Sequence, residues 1–186
     1  MTEVDKASWD CSLRALFGEG MFASTGPRRH EDWRRDALDV MLLKTRDPRG
    51  WLTLTKAPGG SPYTASGADQ PFSSVSLAHF DWIFAVHGKG AEQILVTLQG
   101  EWFTTTDIPD FESREEELLG HSRTILGRFG EGALHFTNIS VARDDPEADM
   151  FNRDGAYECF SDYTVDCGVI AVSDTEIGVF WSFVID

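Results

Sequence analysis

The clearest structural signal in the chain is its last strand pair, YTVDCGVIAVSDTEIGVFWSFVI, at residues 163–185. Two apolar runs flank the polar turn 173–176, which is typical of a β-hairpin. The second run alternates between two faces, with Val179, Trp181, Phe183 and Ile185 on one and Phe180, Ser182 and Val184 on the other. A strand that is apolar on both faces is buried between two layers. The pattern therefore predicts a hairpin at the centre of the fold, and we expect truncation of the C-terminus to be destructive.

Further upstream, short apolar runs separated by turn residues predict three more hairpins. Their strands are 38–45 with 51–56, 75–86 with 93–99, and 121–126 with 133–141. The stretch 57–71 is rich in Pro, Gly and Ser and has almost no large apolar residue, which favours an exposed loop.

Two helices are predicted outside the strands. Residues 7–18 place apolar side chains on one helical face, with Ser8 as a possible cap and Gly18 as a stop. Residues 111–119 follow Pro109 and are rich in Glu, which suits the positive end of a helix dipole. We therefore predict a mainly β (α+β) fold for a single acidic domain, 1–186. Its core is an antiparallel sheet or sandwich of about four hairpins, with a short N-terminal helix and one further surface helix.

Composition restricts the class of protein. The chain has 186 residues, of which 41% are hydrophobic and 12% aromatic, enough to form a core. Its apolar runs are shorter than the roughly 18–20 residues that cross a bilayer, and the acidic N-terminus does not resemble a secretory signal. We expect a cytoplasmic protein that does not contact a membrane. Its three cysteines fit reduced thiols better than a disulfide framework, although Cys159 could pair with Cys167.

The net charge of −15 is distributed unevenly. Residues 1–100 contain twelve acidic and eleven basic residues, a balance of −1, whereas residues 101–186 contain nineteen acidic and five basic residues, a balance of −14. Phosphate backbones require cationic surfaces, so this charge argues against nucleic-acid binding. It favours a basic protein partner.

Acidic and aromatic residues occur together several times in this acidic half. At protein interfaces aromatic side chains anchor the complex, and the surrounding charge steers the encounter. The same clusters also arise when aromatic side chains face the core and acids face water. The predicted partner-binding residues are Glu101, Trp102, Asp110, Glu112, Glu115, Glu116, Asp144, Asp145, Asp149, Glu158 and Asp162.

Signals for catalysis or cofactors are weak. The acidic loop 144–154 resembles half of a calcium loop, but Met150 stands where an acidic ligand would be needed. The five histidines lack the spacing of a metal-binding pair, and no Gly-x-Ser-x-Gly nucleophile motif occurs. No catalytic residue, metal or cofactor is therefore expected.

These observations favour a non-catalytic acidic protein-binding module. One concrete form is an immunity-type inhibitor that occludes a basic toxin or enzyme surface. The alternative is a small hydrolase whose site is assembled from distant strands, with His79, His121 or His135 beside Asp81 or Asp166. A third interpretation is a subunit of a larger assembly, for which an exposed apolar patch would be the signature.

Overall fold

The computed structural model describes residues 4–18, 20–55, 70–153 and 156–184. Its five strands are β1 (Phe22–Pro27), β2 (Phe84–Val86), β3 (Leu134–Thr137), β4 (Val165–Val172) and β5 (Glu176–Val184). They form one open antiparallel sheet in the order β1-β5-β4-β3-β2. The helices are α1 (Lys6–Leu16), α2 (Trp33–Met41), α3 (Gly88–Thr97), α4 (Phe111–Gly127) and α5 (Val141–Asp144), with short 3-10 helices at Leu77–Trp82 and Thr105–Asp107.

The predicted central hairpin is confirmed. β4 and β5 pair along their whole length, from Val165 opposite Val184 to Val172 opposite Ile177. Every residue of β5 is buried. A Cβ at Gly168 would lie 2.1 Å from the Trp181 ring, so only glycine lets the indole lie flat against the neighbouring strand.

The two faces of this hairpin belong to two separate core clusters. Val169 and Phe180 pack into the layer that contains α1, α3 and α4. Ile170 and Trp181 pack into the opposite layer, beneath α2. Successive side chains of β4 and β5 therefore pack alternately into the two layers, because the sheet is covered on both sides.

The N-terminal helix is confirmed with a different cap. Asp5, not Ser8, is the N-cap residue, and its carboxylate accepts a hydrogen bond from the Ser8 amide at 2.8 Å. The Ser8 hydroxyl in turn accepts a hydrogen bond from the Asp5 amide at 3.2 Å, which completes a capping box. The surface helix is also confirmed. It begins at Phe111 as expected from Pro109, but as α4 it continues to Gly127.

The balance of helix and strand differs from the prediction. The antiparallel sheet and mixed α+β character are confirmed, but the described residues contain neither the second sheet of a sandwich nor four hairpins. Residues 38–41 and 93–97, predicted as parts of strands, belong to α2 and α3, and residues 121–126, also predicted as a strand, belong to α4. Residues 51–55 contribute a single bridge, between Leu54 and Ala23 of β1.

Apolar spacing explains this error. In α3 the buried residues Ala91, Ile94 and Leu95 recur three and four positions apart, which is the helical period. The neighbouring positions are also apolar, so the segment resembles a buried strand as well. Most of the predicted 57–71 loop lies outside the described residues.

None of the helices in the described residues is both long enough and apolar enough to cross a bilayer. Cys11, Cys159 and Cys167 are free thiols.

Candidate functional site

The loop after α3 presents an exposed tryptophan beside an acid. The Trp102 side chain is 50% exposed, while Phe103, the next residue, is buried in the core. Glu101 is exposed as well. The loop is therefore anchored by one aromatic ring and presents the other to solvent.

Two residues from the loop after α5 hold this segment in place. The Tyr157 hydroxyl donates to the Trp102 carbonyl at 3.2 Å, and the Arg153 guanidinium donates to the Phe103 carbonyl at 2.9 Å. Arg153 also donates to the Tyr157 hydroxyl at 3.1 Å and to the Met150 carbonyl. With the backbone around Trp102 fixed in this way, little backbone entropy remains to be lost when the indole is covered.

The start of α4 adjoins the same loop. The rings of Phe111 and Phe151 meet edge-to-face at 5.1 Å. They border a cleft of about 400 Å³ that is also lined by Thr105, Glu115 and Asp149. Asp110 and Glu112 are exposed at the first turn of α4. Of the predicted residues, Glu115 and Asp149 line this cleft, and Glu101, Trp102, Asp110 and Glu112 lie on the loop and first turn that lead into α4. We call these six residues the acidic face.

Asp149 is oriented by a buried amide. The Gln93 side chain is buried in α3, donates to the Asp149 carboxylate at 2.8 Å and accepts from the Met150 amide at 2.9 Å. A hydrogen bond from Asn152 is the main cause of a lowered Asp149 pKa, with further bonds from the Phe151 amide and Gln93 outweighing partial desolvation. Asp149 therefore remains a fixed negative charge at neutral pH.

Other predicted binding residues are engaged elsewhere. Glu116 pairs with Arg123 at 2.7 Å on the outer side of α4, and Asp144 lies 3.5 Å from Arg143. Asp145 accepts a hydrogen bond from the Glu147 amide, and Glu158 is half-buried beside Asn138.

Asp162 lies apart from the acidic face. Its carboxylate accepts hydrogen bonds from Ser73 and Ser74, and its amide donates to the Pro71 carbonyl at 3.1 Å. The neighbouring residues Phe72 and Tyr163 belong to the core cluster beneath α2. Asp162 therefore fastens two loops on the side of the sheet opposite α4.

The residues suggested for metal binding or catalysis do not converge. The described part of the chain contains no group of three or more His, Cys, Asp or Glu placed to hold a metal ion. Asp166 accepts from Ser161, Asn138 and Trp181. His121 lies 3.1 Å from the Ser12 hydroxyl, and His79 bonds to Ser76.

His135 differs from the other histidines in its surroundings. Its Nε2 atom is buried and has no hydrogen-bond partner among the described residues. Burial lowers the His135 pKa from 6.5 to about 4. The folded state thus favours neutral imidazole, and stability is lost as pH falls from 6.5 towards 4, because the unfolded chain binds the proton first.

We expect His135→Leu to reduce this acid sensitivity. The difference in free energy of unfolding between pH 7 and pH 4 should shrink by roughly 2–3 kcal/mol relative to wild type. Urea titrations at several pH values measure it. Leu134→Ala, at the exposed neighbouring position on β3, is the control: it removes no titratable group and should leave the pH slope unchanged. Equal slopes for wild type and His135→Leu would contradict the assignment.

Sequence reasoning missed the residues that support the acidic face. Arg153 lies in the incomplete calcium loop, Tyr157 stands beside Glu158, and Gln93 lies in a predicted strand, so no local pattern predicts that these residues support a binding surface. Arg153 and Tyr157 act on a segment about 50 residues away. Contacts at such separations leave no local pattern in a single sequence.

Comparison with known proteins gives no further assignment: no protein-family model matches the chain, and neither curated proteins nor solved structures give a significant match.

Proposed function

We propose that the protein is a non-catalytic module that binds a basic protein through the acidic face. The observation that carries the proposal is Trp102, an exposed aromatic side chain that follows Glu101 on a hydrogen-bonded loop leading to the acidic first turn of α4. Tryptophan is among the residues that most often dominate binding energy at protein interfaces. Surrounding charge of one sign accelerates the encounter with an oppositely charged partner.

The pairing of the carboxylates supports this assignment. Glu101, Asp110, Glu112 and Glu115 have no ion-pair partner within the described ranges, whereas Glu116 and Glu117, further along α4, pair with arginines. Carboxylates without an internal cation are available to Lys and Arg from another molecule. Lys89 and Arg123 also line the neighbouring cleft, and Arg123 is already paired with Glu92 at 3.1 Å and with Glu116.

An inhibitor that occludes a basic toxin or enzyme surface is the concrete form we favour, because occlusion requires only a rigid, complementary surface. The same negative surface disfavours nucleic acid as a partner. We place the protein in the cytoplasm, where free thiols such as its three cysteines persist. The alternative, a small hydrolase, gains no support from the histidine contacts described above.

The test uses two variants that lose the same charge. One replaces Glu101, Glu112 and Glu115 with Gln on the acidic face, and the control replaces Glu31 and Glu131 with Gln and Asp174 with Asn at exposed positions elsewhere. We expect the first to slow association with the co-purified partner about tenfold at low salt and the control to change it little.

Trp102→Ala should weaken the same complex by about 2 kcal/mol, roughly 30-fold in Kd, mainly through faster dissociation. Trp82→Ala, at another exposed tryptophan, is its control. The proposal fails if the acidic-face and control variants have equal effects.

A further inference from the structure

A second cleft, of about 530 Å³, opens between the C-terminal ends of α1 and α3. Its lining includes residues 14–18 at the end of α1, 98–101 directly after α3 and 182–184 at the end of β5. Glu101 belongs both to this lining and to the acidic face, and it precedes Trp102. The cleft therefore adjoins the acidic face.

Ser182 is a buried polar side chain in this cleft. It stands on β5 between Phe180 and Val184, which both pack into the layer of α1, α3 and α4. Because alternate residues of a strand point to the same face, Ser182 faces that layer as well, where it lines the cleft. The residue is only 7% exposed, and its hydroxyl forms no hydrogen bond with any described residue. A buried hydroxyl without a partner is costly, and a ligand in the cleft would supply one.

The two helix ends supply further hydrogen-bond acceptors. The last carbonyls of a helix have no partner within it and carry partial negative charge. At the end of α1 the Gly18 amide bonds to the Met21 sulfur at 3.2 Å and not to the helix. The carbonyls of Ala15, Leu16 and Leu98 accept no hydrogen bond from the part of the chain that the structure describes. Two negative helix ends thus meet at one cleft.

The charged side chains of the lining are Glu101 and Arg14. Glu101 is exposed and forms no ion pair with a described residue. Arg14 is exposed in the last turn of α1, and its charge acts on the carboxylate of Asp10, one turn earlier in the helix. The charge that remains available to a ligand is therefore negative, which favours a cation.

We propose that the cleft binds a lysine side chain of the basic partner, an inference that rests on the proposed function. Lysine combines an apolar stem with an ammonium group that donates three hydrogen bonds. The stem lies along Leu16, Met21 and Leu98, which are buried residues of the lining. The ammonium donates to the Ser182 hydroxyl and to the carbonyls at the helix ends.

The arrangement of acceptors favours lysine over arginine. A guanidinium is a planar fork that matches the two oxygens of one carboxylate or phosphate. In this cleft the acceptors are single oxygens from separate residues, and the carboxylate, Glu101, is exposed. A compact ammonium with three rotatable donors suits such a set better.

The experiment titrates the full chain with N-acetyl-lysine amide and follows the backbone NMR signals, so that it requires no partner protein. We expect saturable shifts concentrated in residues 14–18, 98–101 and 182–184. N-acetyl-norleucine amide has a similar apolar stem without the ammonium and should bind about tenfold more weakly. N-acetyl-arginine amide should also bind more weakly than the lysine probe.

Two variants test the cleft itself. Ser182→Ala removes the hydroxyl and should weaken binding of the lysine probe roughly three- to tenfold. Since that hydroxyl has no partner among the described residues, its removal should not lower the unfolding midpoint measured by circular dichroism. Gly18→Leu narrows the cleft, because a Cβ at Gly18 has no atom within 4 Å, and should weaken the probe about tenfold or more. Gly132→Leu, at an equally open and exposed position outside the cleft, is the control.

The proposal is overturned if the lysine probe causes no saturable shifts, if the norleucine or arginine probe binds equally well, or if Ser182→Ala and Gly18→Leu both bind as wild type does. Its failure is distinct from failure of the acidic face. A partner complex that Trp102→Ala weakens and Gly18→Leu leaves intact would overturn the lysine site alone. Saturable binding of the lysine probe by a chain that retains no basic protein would instead contradict the proposed function, and with it the partner as the source of the lysine.

Discussion

Arg128→Ala should lower the free energy of unfolding by about 3–5 kcal/mol. The Arg128 side chain is 0% exposed and lies between two carboxylates. It donates to Asp47 at 2.7 and 2.9 Å and to Glu176 at 3.1 and 3.2 Å. Its guanidinium also lies 4.6 Å from the Trp9 ring and 4.8 Å from the Trp51 ring. Removing it leaves buried Asp47 without its cation and Glu176 with only the partly exposed Arg49.

The pKa shifts of Arg128 and Asp47 follow from the same contacts. Burial favours the neutral form of Arg128, but hydrogen bonds to Asp47 and Glu176 outweigh it and raise the pKa of the guanidinium. Burial likewise opposes ionisation of Asp47, but Arg128 and Thr25 more than compensate and lower its pKa. Both groups therefore stay charged at neutral pH, and the end of α4 is tied to β5 and to the 47–51 loop.

Arg49→Ala is the matched control for this prediction. Arg49 contacts the same Glu176 at 3.0 Å, but its side chain is one-third exposed, so water can replace it. We expect a loss of about 1 kcal/mol. Urea unfolding with an unchanged slope measures both values. Equal losses for the two arginines would show that burial of the charge does not determine the effect.

Asp166→Ala should have the second largest effect, a loss of about 3 kcal/mol in the free energy of unfolding. One Asp166 oxygen accepts from the Trp181 indole at 2.8 Å and from the Asn138 amide at 3.1 Å. The other accepts from the Phe160 amide at 3.0 Å and from the amide and hydroxyl of Ser161, each at 2.7 Å. Alanine leaves these buried donors without an acceptor.

Asp166→Asn separates hydrogen bonding from charge. Burial raises the Asp166 pKa, and the bonds from Ser161 and Trp181 oppose this increase. Asparagine removes the buried charge but turns an N–H group towards the donors of one oxygen. It should therefore lose about half as much stability as alanine does. If both variants unfold within about 0.5 kcal/mol of wild type, the carboxylate does not hold this loop.

The sequence was most informative where one local pattern sufficed. The pattern from Ile177 to Val184 predicts β5, because a strand that is covered on both sides is largely apolar on both faces. Pro109 predicted the start of α4, because proline restricts the residue before it and ends or precedes a helix. Neither inference required knowledge of what packs against the element.

Prediction failed where chain neighbours and spatial neighbours differ. The glycine-rich segment that follows residues 121–126 favours a strand there. In the structure these residues are helical, and Ser122 and Ile125 of α4 face the core. Gly127 ends the helix and is not the turn of a hairpin. Glycine occurs both at the ends of helices and in hairpin turns, so its presence alone does not distinguish the two.

The candidate site shows the same division. The acid-and-aromatic pattern singles out Glu101 and Trp102, whose side chains are both exposed, and their binding of a partner stays a prediction. The same pattern also selects Asp162, which lies on the other side of the sheet. A local sequence pattern does not indicate on which side of the sheet a loop packs. The Arg128 cluster left no signal, since its partners Asp47 and Glu176 lie 81 and 48 residues away.

The most direct test of the acidic face is co-purification of the tagged protein from its native host at roughly 50 mM and roughly 500 mM salt, with mass spectrometry of what is retained. The triple Gln variant at Glu101, Glu112 and Glu115 serves as parallel bait. We predict one basic protein, retained by wild type at low salt, released at high salt and lost from the variant. A partner retained equally by both baits, or at both salt concentrations, would contradict binding through the acidic face.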